Sequence, residues 1–193
     1  KTFYPFILIS KKRYTGDKYE LKSDKPKERT SMGLVTKRRD NAPIVKYVFG
    51  NIIEIIMNQK SVDKAIEWLD RTLRKIKDGK MPLSMFVVSK SLRGYYKNPD
   101  SIAHKVLADR ITARDPGNKP SSGDRIPFAY IAVPGKKVLQ GEKIETPSFI
   151  AENKLKIDYS FYITNQIMKP VQQLFALVLE KIWQFQNKRP KLL

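Results

Sequence analysis

The sequence has no cysteine, a single histidine and no long apolar run. Without cysteine the chain can form neither disulfides nor thiolate metal sites, and one histidine leaves too few of the usual ligands for zinc. No stretch approaches the roughly 18 consecutive apolar residues of a transmembrane helix, so we expect no membrane-spanning segment, and no membrane is among the predicted partners. Hydrophobic residues nevertheless make up 41% of the chain, which predicts a folded core.

Acidic residues are scarce relative to basic ones. The 193 residues include 38 Lys and Arg against 19 Asp and Glu, a formal net charge of +19, and the sequence pI is about 10.0. A folded domain with this excess repels itself unless a polyanion lies nearby, so the charge favours a nucleic-acid partner. Charge alone leaves two alternatives open, a basic membrane-surface protein and a ribosomal-type scaffold protein.

The first forty residues have the pattern of a small β-structure. The apolar run at residues 3–9 is too short for a helix and is typical of a buried strand. We predict that residues 10–21 continue as a β-hairpin whose polar turn is Thr15-Gly16-Asp17. The charged, proline-containing stretch at residues 22–31 is predicted to be a connector.

Helical periodicity begins near residue 42. The first helix has Pro43 in its first turn, and the second has Ser61 as N-cap and ends at Gly79. The later predicted elements are a short strand or extended segment at 85–88, a helix capped by Asp100 or Ser101 and stopped at Pro116, a strand at 126–133, a helix at 159–168 and a last helix after Pro170 to about residue 186. The predicted fold class is α+β, with a short β-hairpin segment at residues 1–40 and a mostly helical domain at residues 41–193.

Basic residues are concentrated in three clusters, Lys11-Lys12-Arg13-Tyr14, Lys37-Arg38-Arg39 and the segment 110–114. A lysine ammonium can donate to phosphates or to minor-groove acceptors, and a tyrosine ring can pack on a sugar. Because alternate side chains of a strand share a face, Lys12 and Tyr14 are predicted to point together, away from Lys11 and Arg13. The alternative is a solvated basic edge strand that discourages aggregation.

Several segments, in order along the chain, resemble the carboxy-terminal part of family B DNA polymerases, especially replicative delta-like cellular enzymes and those of large DNA viruses. They are FILISKKRY (6–14), GLVTKRRDNAPIV (33–45), LSMFVVSKSL (83–92), AHKVLADRITARDPGNKPSSGDRIPFAYI (103–131) and IDYSFYITNQIMKPVQQLF (157–175). KKRY alone is a weak signal, because short basic strings arise often by chance. RRDN together with RDPG and GDRIP at compatible spacing is a specific one.

The resemblance implies a right-hand fold in which residues 1–40 are the end of the palm with the KKRY hairpin. Residues 41–193 are then the thumb, which wraps the newly made duplex. By the same resemblance the chain is the DNA-binding part of a replicative DNA-directed DNA polymerase, a nucleotidyltransferase. Lys11, Lys12 and Tyr14 would touch the primer strand and the minor groove. The alternative is a freestanding basic nucleic-acid-binding module with no role in synthesis.

The family's paired aspartates, which hold two magnesium ions, belong to motifs that this sequence lacks. We therefore expect no catalytic residue, no metal site and no bound cofactor in this chain, with Mg²⁺ belonging to the complete polymerase. The expected partners are primer–template DNA and the remainder of the polymerase (palm, fingers and exonuclease), with a processivity factor as a further candidate. The implied location is intracellular, in the nucleus or at a viral replication site.

The residues predicted to contact DNA are Lys11, Lys12, Arg13, Tyr14, Lys37, Arg38, Arg39, Arg110, Arg114, Ser121, Ser122 and Arg125. Two motifs have structural alternatives, because Arg39 with Asp40 would also make an ion pair bracing a joint, and Asp124-Arg125 an internal salt-bridged turn. The residues predicted to have structural roles instead are His104, Trp68, Trp183 and, as a helix kink, Asn165, Gln166, Lys169 and Pro170.

Overall fold

Three antiparallel strands open the chain in the computed structural model, which describes residues 2–20, 25–26, 28–135 and 138–176. They are β1 (Thr2–Ser10), β2 (Arg13–Tyr19) and β3 (Glu28–Met32), with β2 in the centre. Ser10 of β1 pairs with Arg13 of β2, so the hairpin turn consists of the two residues between them. Together with the helices described below, these strands confirm the α+β fold class.

This register corrects the predicted hairpin. Thr15, Gly16 and Asp17, predicted as the turn, lie inside β2, and residues 28–31, predicted as part of a connector, belong to β3. Thr15 is buried and its Oγ1 lies 2.8 Å from the Oγ of Ser31 across the sheet. A β-branched residue with a cross-strand hydrogen bond is better accommodated in a strand than in a turn, which explains the difference.

The apolar run at the start is a strand as predicted, but it is not buried. Residues of β1 alternate between exposed and half-buried, and Tyr4, Phe6 and Leu8 are 62%, 41% and 47% exposed. The prediction failed because β1 lies at the edge of the sheet, where a continuous apolar run does not guarantee cover on both faces.

The face of this sheet that carries Asp17 and Arg29 is joined to a helix. α1 (Pro43–Glu54) follows the predicted first helix and continues directly into a π-helical segment, Ile55–Gln59. Arg29 on β3 donates to both carboxylate oxygens of Asp17, at 2.6 and 2.9 Å, and to the carboxylate of Glu54 at the end of α1. Its hydrogen bonds hold the pKa of the Asp17 carboxyl below the usual range, so this ion pair joins sheet and helix.

The second helix confirms both of its predicted ends. α2 (Val62–Lys77) begins after Ser61, whose Oγ accepts the backbone N–H of Lys64 at 3.2 Å. Gly79 has φ +68°, a left-handed conformation that terminates helices and that glycine adopts without strain. Ile66 of this helix is 49% exposed. Trp68, predicted as a core residue, is half-buried with its ring centroid 5.7 Å from that of Tyr47.

The described residues fall into two compact units. The first unit contains the described parts of Lys1–Arg38, Val45–Leu69 and Thr164–Leu193, and the second contains Arg39–Ile44 and Asp70–Ile163. The first unit therefore joins the opening sheet to helical residues from the far end of the described chain. The predicted boundary at residue 40 concerns the roles of palm and thumb, and it stays a prediction.

The second unit is organised around a smaller antiparallel sheet. Its strands are β4 (Val88–Ser91), β5 (Arg125–Tyr130) and β6 (Ile144–Glu145), with β5 in the centre. Its helices are α3 (Ala103–Arg114), α4 (Pro147–Glu152) and α5 (Tyr159–Phe161). β5 confirms the predicted strand at 126–133 as far as Tyr130. The segment 85–88, predicted as a short strand or extended, begins in a 3-10 turn (Leu83–Phe86) and reaches β4 only at Val88.

The predicted cap of the third helix is wrong. Asp100 and Ser101 belong to a separate 3-10 turn, Pro99–Ser101, and the N-cap of α3 is Ile102, which provides no side-chain hydrogen bond. Pro99 explains this difference, because its fixed φ starts a tight turn of its own just ahead of the helix.

Tyr162 forms the centre of the second unit's core. Its side chain is fully buried, and its hydroxyl donates to the carbonyl oxygen of Phe86 and accepts the backbone N–H of Tyr130 at 3.0 Å. The Phe86 and Tyr162 rings meet edge to face with centroids 5.1 Å apart. Burial raises the pKa of the Tyr162 hydroxyl, so this group is a neutral hydrogen-bonding link between β5 and the turn before β4.

The last described helix passes through Pro170 without the predicted break. α5 continues as a π-helical segment, Tyr162–Ile167, and the chain stays helical through residues 168–176. A proline lacks an N–H and clashes with the carbonyl four residues earlier, and here that carbonyl lies in the wider π turn. The predicted extension to residue 186 and Trp183 lie outside the described residues. None of the helices in the described ranges is long and apolar enough to cross a membrane.

Candidate nucleic-acid interface

The tip of the β1–β2 hairpin consists of two neighbouring lysines. Lys11 and Lys12 are both exposed, and within the described part of the chain neither they nor Arg13 form an ion pair with an acidic residue. Lys12 is a turn residue, so the strand alternation that was expected to align it with Tyr14 does not apply at this position. The tip therefore presents positive charge that no described carboxylate offsets.

Gly33 fixes the position of this tip. It has φ +63°, and a Cβ atom placed on it would lie 2.0 Å from the carbonyl oxygen of Lys12 and 3.2 Å from Cγ of Arg13. Any side chain at this position would push the hairpin turn away. The close approach brings the turn and the segment after β3 together.

Tyr14 lies on the exposed face of the sheet among apolar neighbours. It pairs directly with Leu8 on β1 and with Met32 on β3, both 47% exposed. Its half-buried ring is 5.6 Å from the ring of Phe6, centroid to centroid. These four residues, Phe6, Leu8, Tyr14 and Met32, are called the outer face below. Tyr14 thus contributes to packing on this face and also presents its ring beside the lysine tip.

The Lys37-Arg38-Arg39 cluster begins at the last residue of a 3-10 turn, Val35–Lys37, and all three side chains are exposed. No ion pair joins Arg39 to Asp40, both of which lie in the described part of the chain. Arg38 lines a pocket of about 330 Å³ in the first unit, and the complete set of its lining residues is Arg13, Gly33, Val35, Arg38, Lys169, Pro170 and Gln173. This pocket, called the first-unit pocket below, brings together two predicted contacts from separate clusters.

Lys169 lies beside two of the predicted contacts. It was assigned to a helix kink because of its neighbour Pro170, yet it is exposed and lines the same pocket as Arg13 and Arg38. No local sequence signal could have found it, because its partners lie more than a hundred positions earlier in the chain.

Arg110 and Arg114 have an internal partner. Glu145 is 3% exposed, and its Oε2 lies 3.3 Å from Nε of Arg110 and 2.9 Å from Nη2 of Arg114. Thr146 N–H donates to the other carboxylate oxygen at 3.1 Å, and the Arg114 guanidinium lies 3.7 Å from the centroid of the Phe149 ring. A buried carboxylate requires such neutralisation. A DNA contact by either arginine stays a prediction.

The GDRIP turn is held by hydrogen bonds to backbone and to serines. Asp124 accepts the backbone N–H of Ser121 at 2.7 Å, and Arg125 donates to the hydroxyls of Ser89, at 3.1 Å, and Ser91, at 3.2 Å, on β4. Arg125 and Asp124 therefore do not need each other as ion-pair partners. The turn fixes the loop that carries Ser121 and Ser122.

Ser121 and Ser122 are exposed and line a second pocket, of about 140 Å³, within the second unit. Basic residues on its walls are Arg93, Lys105 and Lys119, of which Lys105 also forms an ion pair with Asp109. Hydroxyls beside lysine and arginine are suitable donors for phosphate oxygens. The predicted phosphate contact by these serines stays a prediction.

His104 lies near this loop in a hydrogen-bonded position. Its Nε2 is 3.2 Å from the Tyr96 hydroxyl, which accepts the backbone N–H of Arg93 at 2.8 Å. Burial, assisted by the positive charge of Lys90, lowers the pKa of the imidazole below its ordinary value. The geometry joins α3 to the loop after β4, which is a structural arrangement.

The magnesium ions implied by the resemblance do not fit the residues described here. Within those residues, no group of three or more His, Cys, Asp or Glu side chains is placed to hold a metal ion. No chemical step through a metal is therefore assigned to this chain.

Comparison with known proteins finds similarity to DNA polymerases throughout. The family model described as DNA polymerase family B matches residues 1–178. The chain is 54% identical over 184 residues to the DNA polymerase of Pyramimonas orientalis virus, covering 94% of this chain and 15% of that protein. It is 49% identical over 195 residues to the DNA polymerase of Acanthamoeba polyphaga mimivirus, covering 97% and 11%.

A cellular relative and a solved structure extend the comparison. The DNA polymerase delta catalytic subunit of Caenorhabditis elegans is 35% identical over 180 residues, covering 93% of this chain and 16% of that protein. The family B DNA polymerase of the archaeon Pyrobaculum calidifontis has the same fold over 88% of this chain and 21% of its own, with a TM-score of 0.67 and 21% identity. The chain spans less than a fifth of the length of each of the three sequence relatives named. Because the family model matches nearly all of its residues, the chain belongs to DNA polymerase family B.

Proposed function

We propose that this chain is the duplex-binding part of a DNA-directed DNA polymerase, the end of the palm and the thumb. It holds the primer–template duplex without reading its sequence, while the catalytic carboxylates lie outside this chain. The observation that carries the proposal is the hairpin tip, where Lys11 and Lys12 are exposed and have no acidic partner among the described residues of a family B chain.

Contacts at the tip suit the minor groove. Lysine ammonium groups can donate to the acceptors that all four base pairs present at similar places, so such contacts test the shape of the pair and not its identity. The Tyr14 ring, exposed in part on the outer face beside the tip, would pack on a sugar or a base edge. A replicative polymerase must bind the primer–template duplex tightly and with equal affinity for every base sequence.

Phosphate contacts provide the rest of the affinity in this proposal. The net charge of +19 supports it, because every neutralised phosphate releases condensed counterions. In the second unit, Ser121, Ser122 and Lys119 line one pocket and supply hydroxyl and ammonium donors for a backbone phosphate.

The remainder of the polymerase is the proposed protein partner. Within the described residues β1 pairs on one side only, with β2, so its other edge can accept a further strand. Tyr4, 62% exposed, lies at the end of β1 opposite the lysine tip. A chain that carries the paired aspartates of the palm is expected to co-purify with this one, and failure to form that complex would contradict the partner assignment.

The duplex-binding proposal is tested by fluorescence anisotropy with the 193-residue chain and labelled duplexes of several sequences. If about five phosphates are neutralised, log affinity falls against log salt with a slope of about −4 to −5, and the sequences bind equally. Affinity that ignores salt, or that differs strongly between sequences, would contradict the proposal. The chain alone is expected to incorporate no nucleotide with any divalent metal.

A further inference from the structure

The first-unit pocket gathers three cationic side chains from segments far apart in sequence. Arg13 comes from the start of β2, Arg38 from the segment after the 3-10 turn, and Lys169 from the last helix. None of its seven lining residues is acidic. Cationic side chains that line a cavity favour the entry of an anion over that of a cation or an apolar group.

The donors of this pocket match a phosphate group. Two guanidinium groups provide planar forks for phosphate oxygens, and Lys169 adds a point charge. Gln173 lies four residues after Lys169, one helical turn further on the same face, and adds an amide donor to the wall. Lys169 and Gln173 are exposed, and Arg13 is half-buried, so the donors are accessible from solvent.

The position of the pocket connects it to the lysine tip. Gly33 lines the pocket and is also the residue whose backbone lies against the carbonyl of Lys12. A duplex held by the tip would therefore bring its backbone close to the pocket. The volume of about 330 Å³ accommodates a phosphodiester with its sugar.

We propose that Arg13, Arg38, Lys169 and Gln173 form a binding site for one phosphate group, supplied by the backbone of the duplex next to the hairpin tip. This inference rests on the proposed duplex binding and deepens it, because it assigns a single phosphate position to a single pocket. The same chemistry would accept a free polyphosphate such as pyrophosphate, so the experiment separates the two sources.

The first arm compares Lys169→Gln with Lys64→Gln, an equally charge-neutralising change at an exposed lysine of α2 in the same unit. Both variants are checked by thermal unfolding. Lys169→Gln is expected to weaken duplex binding about tenfold and to reduce the steepness of the salt dependence by about 1. Lys64→Gln is expected to change affinity less than about twofold.

The second arm replaces single phosphates of the duplex, one at a time, by neutral methylphosphonates. One position is expected to weaken binding to the wild-type chain and to have no further effect on Lys169→Gln, the signature of a direct pair in a double-mutant cycle. The third arm measures pyrophosphate binding to both variants by calorimetry. Lys169-dependent pyrophosphate binding without any sensitive methylphosphonate position would support the phosphate site and assign its source to a free polyphosphate.

The outcomes separate this inference from the proposed function. If the wild-type chain binds duplex but Lys169→Gln and Lys64→Gln behave alike in all three arms, the pocket assignment is overturned and duplex binding stands. If the wild-type chain does not bind duplex at all, the proposed function fails, and the pyrophosphate arm alone decides whether the pocket binds phosphate.

Discussion

The hairpin tip and the arginine pair of α3 are both basic clusters in sequence, but the fold treats their charges differently. Lys11 and Lys12 project from a two-residue turn with no acidic partner among the described residues. Arg110 and Arg114 share the buried carboxylate of Glu145, which comes from β6. Positive charge in a sequence therefore does not equal positive charge offered to a ligand, because a distant acid can neutralise one cluster and leave another intact.

The largest expected effect is a loss of duplex affinity when Lys12 at the hairpin tip and the neighbouring Tyr14 are both replaced. Lys12→Ala combined with Tyr14→Ala should weaken duplex binding about a hundredfold, since each contact is worth roughly 1–3 kcal/mol. Tyr14 packs on Phe6, so the double variant should also lose about 1 kcal/mol of unfolding free energy. Binding is measured by anisotropy and stability by urea unfolding.

The matched control removes a tyrosine at the far end of β1 and the lysine, from the residue after the π-helical segment, that lies over its ring. Lys60 lies over the Tyr4 ring, 5.6 Å from its centroid, so Lys60→Ala with Tyr4→Ala deletes the same charge and the same ring. If this variant bound duplex as poorly as the tip variant, binding would be diffuse electrostatics. If the tip variant failed to fold, Lys12 and Tyr14 would be assigned a structural role in the hairpin and not a role in contacting DNA.

The second largest effect is a loss of folding stability when Arg110 and Arg114 lose their shared carboxylate. Glu145→Gln keeps the shape of the side chain but leaves two arginines without their carboxylate, and we expect a loss of about 2–3 kcal/mol in unfolding free energy. The estimate allows for the partial exposure of both arginines. Asp70→Asn, at an exposed pair with Arg74, should cost less than about 1 kcal/mol. Equal stability of the two variants in urea would show that the Glu145 network is dispensable.

The third effect tests whether an α3 arginine has a double role. Arg114→Ala removes an ion pair and the contact with the Phe149 ring, so unfolding free energy should fall by about 1–2 kcal/mol. Duplex affinity of the folded variant should change less than with Lys12→Ala, by anisotropy under identical salt. A larger loss of affinity than Lys12→Ala, with unchanged stability, would make Arg114 a DNA contact after all.

The smallest effect is a pH dependence from the single histidine. The pKa of His104 is lowered in the folded state, so the unfolded state binds more protons as pH falls through the unperturbed value of 6.5. Unfolding free energy should therefore decrease modestly between pH 7.5 and 5.5, and this slope should vanish in His104→Gln. An unchanged slope in the variant would assign the effect to another group.

Features with local causes were the predictable ones. Ser61 and Gly79 mark the ends of α2 because a cap and a left-handed glycine act within one turn of the helix. The hairpin turn was misplaced because Thr15-Gly16-Asp17 has good turn composition, while the true turn depends on pairing with β3. The ion pairs of Glu145 and the position of Lys169 beside Arg13 and Arg38 were not predicted, because both depend on residues far away in the chain. Long-range contacts of this kind have no signature in a single sequence.

The discontinuous first unit has a consequence for the order in which the protein forms. Val171 and Leu174, from the last described helix, are fully buried, and this helix belongs to the same unit as the opening sheet. During synthesis the strands emerge first, but Val171 and Leu174 follow the end of β3 only about 140 positions later, and that core cannot close before then. Contacts of such long sequence separation form slowly. The second unit, which contains Arg39–Ile44 and Asp70–Ile163, is interrupted by a much shorter stretch of sequence and can close earlier. The hairpin therefore exists on the nascent chain well before Lys169 arrives to complete the pocket beside it.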